Sequence, residues 1–224
     1  MSFDGGEYPL LASESVSYRG EPIGIIAGPD RRRVEEAIAL TRIDMEEGLP
    51  AQGHEVFDSS RIVAKERKEA GDVDAALSAA ERIVSGEFRL GALDHYYPEP
   101  QGAAAYYDYD KLIILSSTQW PFHVRDAVAA ALGVKGSEIV VRPGYLGPHL
   151  DGKLWYPSLL ACHVAIVARL MGRPCLLQLS REEDFLYTTK RTPYRAAYRV
   201  ALDKEGRISA TERILSPHEG ADRP

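Results

Sequence analysis

Between a predicted strand at Glu138–Arg142 and an apolar helical stretch, the chain reads Gly147-Pro148-His149-Leu150-Asp151-Gly152-Lys153. Two glycines and a lysine at this spacing match the pattern G-x-x-x-x-G-K. There, consecutive backbone N–H groups cradle phosphate, the lysine reaches its outer oxygens, and a following hydroxyl binds Mg²⁺. Four features argue against that chemistry here. Leu154 stands where the hydroxyl should be. Pro148 removes one N–H from the cradle. Asp151 would set a negative charge beside the anion, which Coulomb repulsion disfavours. Pro157 delays the helix whose N-terminus should face the phosphate.

Other residue types able to do chemistry are scattered. Gln119 ends the run Ser116-Ser117-Thr118, and as a plain polar residue it would cap the next helix. His149 sits in the loop, His95 in Leu93-Asp94-His95-Tyr96-Tyr97-Pro98-Glu99-Pro100, and His163 in an apolar helix where it faces core or interface. Glu182, Glu183 and Asp184 open a short helix, where negative charge suits the dipole. Adjacent helical carboxylates do not face one another, so they are not a glycosidase pair. No Ser/His/Asp set and no G-x-S-x-G elbow is found, and no catalytic residue is nominated. Cys162 and Cys175 are too few for a disulfide framework or a zinc site. They read as buried thiols of a reducing compartment.

The elements that must position these residues follow from patterning. Residues 15–28 predict two short strands about Arg19-Gly20, Asp30 caps a helix, and Arg42–Pro50 predicts a strand, giving a small β-β-α-β unit. Residues 51–71 read as a crossing segment. A short helix capped by Asp72, a strand over Glu81–Gly91, and strands Gly102–Tyr107 and Leu112–Ser116 come next. Helix Phe122–Leu132 stops at Gly133 and helix Pro157–Met171 at Gly172. Strand Cys175–Ser180, helix Arg181–Phe185, and a hairpin turning at Lys204-Glu205-Gly206 complete the chain. Strands and helices alternate without a strict rhythm, which predicts an α+β fold with a mixed sheet.

With 224 residues, 45% of them hydrophobic and 27% charged, the chain can build a packed core. A net charge of −6 lacks the basic footprint of a nucleic-acid binder. No 18-residue apolar run predicts a membrane span. The first residues lack the basic and apolar regions of a secretory leader, so the cytoplasm is expected.

Several segments occur in one fixed order: RGEPIGIIAG, LDHYYPEPQGAAAYYD, LIILSSTQWPFHVRDAVAAALGV, IVVRPGYLGPHLDGK, GRPCLLQLSREEDF and YRAAYRVALDKEGRISA. This series resembles the molybdenum-binding large subunit of the xanthine dehydrogenase/aldehyde oxidase family, the molybdenum hydroxylases. The resemblance implies a partial hammerhead-like unit over residues 1–50 and the N-terminal portion of a molybdopterin-binding domain over 51–224. It implies molybdopterin as cofactor, the cytosine dinucleotide form included. The implied reaction hydroxylates an aldehyde or N-heterocycle with oxygen from water. Electrons would leave through iron–sulfur and FAD groups on partner subunits. Gln119 matches the family glutamine that donates to a molybdenum oxygen ligand. Gly147, Leu150, Asp151 and Gly152 fall in the family loop G-G-G-F-G-G-K that approaches the cofactor.

This sequence departs from that loop. Pro148, His149 and Asp151 replace glycines, and Leu150 replaces phenylalanine. The family's later G-x-G-E segment, which supplies a general base, has no match. Two readings follow. In one, the chain is a split piece of such an enzyme, inactive alone, with a partner chain carrying the missing C-terminal region. In the other, it is a non-catalytic relative used for assembly or binding. Trp120, Trp155 and Tyr156 flank the loop and either pack internally or face a partner.

Overall fold

The computed structural model describes residues 2–3, 6–46, 48 and 65–217. The chain folds as two compact units, Met1–Glu46 with Asp94–Lys190, and Glu47–Leu93 with Arg191–Pro224. The fold is α+β, with sheets and packed helices.

The first unit opens with the short pair β1 (Ser2–Phe3) and β2 (Gly6–Glu7). Helix α1 (Arg31–Leu40) begins at Asp30, whose carboxylate accepts from the Arg33 N–H. That cap satisfies one of the donors a helix start leaves orphaned. The strands expected over 15–28 are not formed. The backbone bonds there are a turn bond, Glu21 N–H to Tyr18 O, and one isolated bond, Ala12 N–H to Pro22 O. Residues 42–46 likewise carry no ladder. β-propensity alone does not make a strand; it needs a neighbouring backbone to pair with. Of the predicted segment 51–71, residues 51–64 lie outside the described residues, and 65–71 hold no helix or strand.

The second unit is an antiparallel sheet of β3 (Arg82–Leu90), β8 (Tyr194–Leu202) and β9 (Ile208–Pro217). Its order is β3-β8-β9. The β8–β9 hairpin turns through Gly206 at φ 77°. Helix α2 (Val73–Ser78), capped by Asp72, packs on this sheet through buried Leu77.

The main sheet of the first unit comprises β4 (Gly102–Asp108), β5 (Lys111–Ser116), β6 (Ile139–Pro143) and β7 (Cys175–Gln178). Its order is β6-β5-β4-β7. β4 pairs antiparallel with β5 and β7, while β5 and β6 run parallel. The parallel pair is joined by α3 (Pro121–Leu132), because parallel neighbours need a crossover. Gly133 closes α3 at φ 64°, a left-handed cap that glycine adopts without penalty. Helix α4 (Tyr156–Met171) follows β6 and ends at Gly172 in the same way. The core lies between sheet and helices: Ala103, Ala105, Leu112 and Ile114 meet Val124 and Val128 of α3 and Leu159, Ala161 and Val164 of α4. Alanines on β4 let α4 approach closely. Each fully buried leucine such as Leu159 is worth about 2 kcal/mol. Helix α5 (Arg181–Tyr187) carries a capping box, Ser180 with Glu183.

Candidate functional site

Because β5 and β6 are parallel, their carboxyl ends lie side by side. In open parallel α/β sheets ligand sites form outside such ends. The segment after β5 carries Ser117, Thr118 and Gln119, and the segment after β6 carries Gly144 to Trp155. The two are clamped together. Gln119 N–H donates to Lys153 O at 2.9 Å, and Lys153 N–H donates to Gln119 Oε1 at 3.1 Å. Gln119 Nε2 donates to Asp151 Oδ1 at 3.2 Å.

The loop is pinned at both ends by one carboxylate. Glu99 Oε1 accepts from Gly147 N–H at 3.2 Å and from the Lys153 ammonium at 2.8 Å. Lys153 is fully buried. Its Nζ also donates to Glu99 O at 2.9 Å and to Ser117 Oγ at 3.4 Å, and stands 4.7 Å from the centre of the Tyr97 ring. The two partners feel the pair differently. Burial pushes Glu99 up, but the lysine hydrogen bond and backbone N–H groups outweigh it and hold its pKa below the ordinary value. Burial lowers the lysine's pKa more than Glu99 raises it. The desolvation cost falls mainly on the deeper partner.

Beneath the loop runs a buried polar network. Tyr97 OH donates to Asp184 Oδ1 at 2.8 Å, and Gln101 N–H donates to Asp184 Oδ2 at 2.6 Å. Gln101 Nε2 donates to Tyr97 OH at 3.0 Å and to Gly152 O at 2.8 Å. Burial and the Asp184 carboxylate keep the Tyr97 phenol protonated. Arg181 donates to the carbonyls of Tyr97 and Pro98. Gly152 carries no side chain because Tyr97 leaves no room: a Cβ there would meet the ring at 2.3 Å and His95 Cβ at 2.8 Å.

The loop tip is exposed. Leu150 and Asp151 lie at φ 47° and 62°, a left-handed region that costs a non-glycine residue about 1 kcal/mol or more. His95 Nδ1 lies 2.8 Å from Leu150 O; a carbonyl only accepts, so that nitrogen bears the proton. His149 Nδ1 accepts from Asp151 N–H at 3.3 Å. Gly152 N–H donates to His149 O at 2.8 Å.

Gln119, Gly147, Leu150, Asp151 and Gly152 thus lie in the two segments that follow the carboxyl ends of β5 and β6. His163 lies elsewhere, in α4, donating from Nε2 to Leu10 O at 2.8 Å. Asp184 lies in the first turn of α5 with Glu182 and Glu183, as expected, and is there fully buried and bonded to Tyr97. Sequence patterning does not single out Tyr97 and Gln101 as supports of the loop. The available signal is the dense polar and aromatic run Tyr96–Gln101 ahead of an alanine strand. Among the described residues no group of three or more His, Cys, Asp or Glu is placed to hold a metal ion.

Residues 54–222 match the family described as "Molybdopterin cofactor-binding domain". The chain belongs to that family. It is 32% identical over 226 residues to xanthine dehydrogenase of Blastobotrys adeninivorans, covering 96% of this chain and 16% of that protein. It is 28% identical over 212 residues to aldehyde oxidase 1 of Rattus norvegicus, covering 92% and 16%. The solved quinoline 2-oxidoreductase from Pseudomonas putida 86 superposes with a TM-score of 0.77 at 26% identity, covering 93% of this chain and 28% of that one. The chain therefore spans about 16% of the length of the curated relatives it matches.

The loop as it stands does not fit an anionic cofactor at Gln119. One N–H of the Nε2 amide is taken by a carboxylate. The N–H groups of Gly147, Asp151 and Gly152 are used within the protein, and Pro148 has none.

Proposed function

We propose that this chain is one piece of a molybdenum hydroxylase, an enzyme that oxidises an aldehyde or N-heterocycle with oxygen taken from water. In this reading residues 1–50 form part of a hammerhead-like unit and 51–224 the first portion of the cofactor-binding domain. Alone the chain is inactive. A partner chain carries the remainder of that domain and holds most of the molybdopterin, in its plain or cytosine dinucleotide form. Iron–sulfur and FAD groups sit on further subunits, and the assembly is cytoplasmic. Among the described residues no helix is long and apolar enough to cross a membrane.

The observation that carries this reading is the Gln119–Lys153 clamp. It holds the resemblance's glutamine and loop together at the carboxyl ends of parallel strands. The test is purification of the tagged chain from its source, with mass spectrometry of its companions and molybdenum analysis. The expected result is a stoichiometric companion bearing a G-x-G-E segment, with molybdenum in the complex and none in the isolated chain. Turnover by the isolated, metal-free chain would overturn it. The Asp151 carboxylate on Gln119 favours a second reading, a non-catalytic relative serving assembly. Its signature is a stable complex free of molybdenum.

A further inference from the structure

The orientation of the Gln119 amide is set by the chain itself. Its Oε1 accepts from Lys153 N–H, and the opposite flip would set two donors face to face. Nε2 is therefore the group that faces the loop tip, where Asp151 Oδ1 meets it at 3.2 Å. Two successive left-handed residues, Leu150 and Asp151, set the tip's course, and the Gly152 N–H bond to His149 O closes the turn. His149 Nδ1 is 3.9 Å from Asp151 Oδ1 and accepts from Asp151 N–H. The Asp151 side chain is 77% exposed, so solvent and ligands reach it freely.

We propose that Asp151 is the resident ligand of the Gln119 amide and that its charge keeps anionic groups from that donor. The inference rests on the reading of Gln119 as the residue that faces a cofactor oxygen. It adds that a carboxylate of this chain already occupies that place. An anion must displace Asp151 before it can take the Gln119 N–H that Asp151 now holds.

The test uses the full chain labelled with nitrogen-15 and inorganic molybdate, a small dianion, as probe. The Gln119 side-chain NH2 resonances are followed during titration of the wild type, Asp151→Asn and Asp151→Gly. The asparagine variant keeps the shape and removes the charge; glycine removes both. Backbone resonances of the main sheet confirm that each variant is folded. In both variants the Gln119 resonances should shift, with an apparent affinity about tenfold or more above that of the wild type, as expected for removing a negative charge about 4–5 Å from a dianion. If the wild type responds as strongly as the variants, or if neither variant responds, the carboxylate is not the block and the proposal falls. Recovery of a molybdenum-bearing companion tests the functional reading without touching this contact, so the two can fail separately.

Discussion

Replacing Gly152 by alanine should destabilise the first unit sharply, and the reason can be worked from its surroundings. The new Cβ would lie 2.3 Å from Tyr97 Cε1, where ordinary contact begins at 3.4 Å. The ring cannot withdraw cheaply. It is 2% exposed, and its hydroxyl is bonded to Asp184 and Gln101. If the loop moves instead, it gives up the Gln101 bond to Gly152 O and strains the clamp at Lys153. Overpacking of a close-packed site costs about 1–3 kcal/mol. Leaving a buried hydrogen-bonding group without its partner adds about 1–3 kcal/mol. The expected loss is about 2–6 kcal/mol, combining the two effects. Both tryptophans, Trp120 and Trp155, lie in the first unit. Their fluorescence during urea denaturation therefore reports that unit alone. Gly144→Ala is the control, since a Cβ there meets nothing within 4 Å; its change should stay within about 0.5 kcal/mol. Equal stability of the two variants would refute the reasoning.

Three further outcomes are expected. Lys153→Met leaves the partly buried Glu99 carboxylate without its cation and should cost about 2–4 kcal/mol by the same fluorescence assay, somewhat less than for a fully buried pair. His163 is held neutral by burial, below its ordinary pKa of 6.5. The unfolded chain then binds the extra proton, so stability should fall as pH drops below about 6.5, by up to about 1.4 kcal/mol per unit. Urea midpoints measured between about pH 7 and pH 5 should show that slope, and His163→Gln should remove its share. Burial pushes the Cys162 thiol up to about 12. Mass spectrometry should find it unalkylated by iodoacetamide in the native protein and modified only in denaturant.

The helices of the main sheet were legible because their signals are local. Gly133 and Gly172 mark stops one residue beyond apolar runs, and the structure ends α3 and α4 there. The β8–β9 hairpin was legible for the same reason. The clamp was not, because Gln119 and Lys153 are 34 residues apart and only the parallel register of β5 and β6 brings them together. Asp184 shows the same limit. Its partners Tyr97 and Gln101 lie 87 and 83 residues upstream, so the helix start alone does not reveal its bonds. Residues 15–28 failed differently: their apolar alternation is real, but a strand is a relation between two backbones.

The pairing of β3 with β8 joins residues more than a hundred positions apart. During synthesis β3 leaves the ribosome first and waits while the whole intervening stretch is made. Closing so long a loop carries an entropic penalty that local contacts do not. Until β8 arrives, Ile83, Val84 and Phe88, exposed even in the folded sheet, sit on a strand with an open edge. The nascent chain is thus most prone to aggregate in that interval, which makes chaperone supply during translation a determinant of how much protein can be produced.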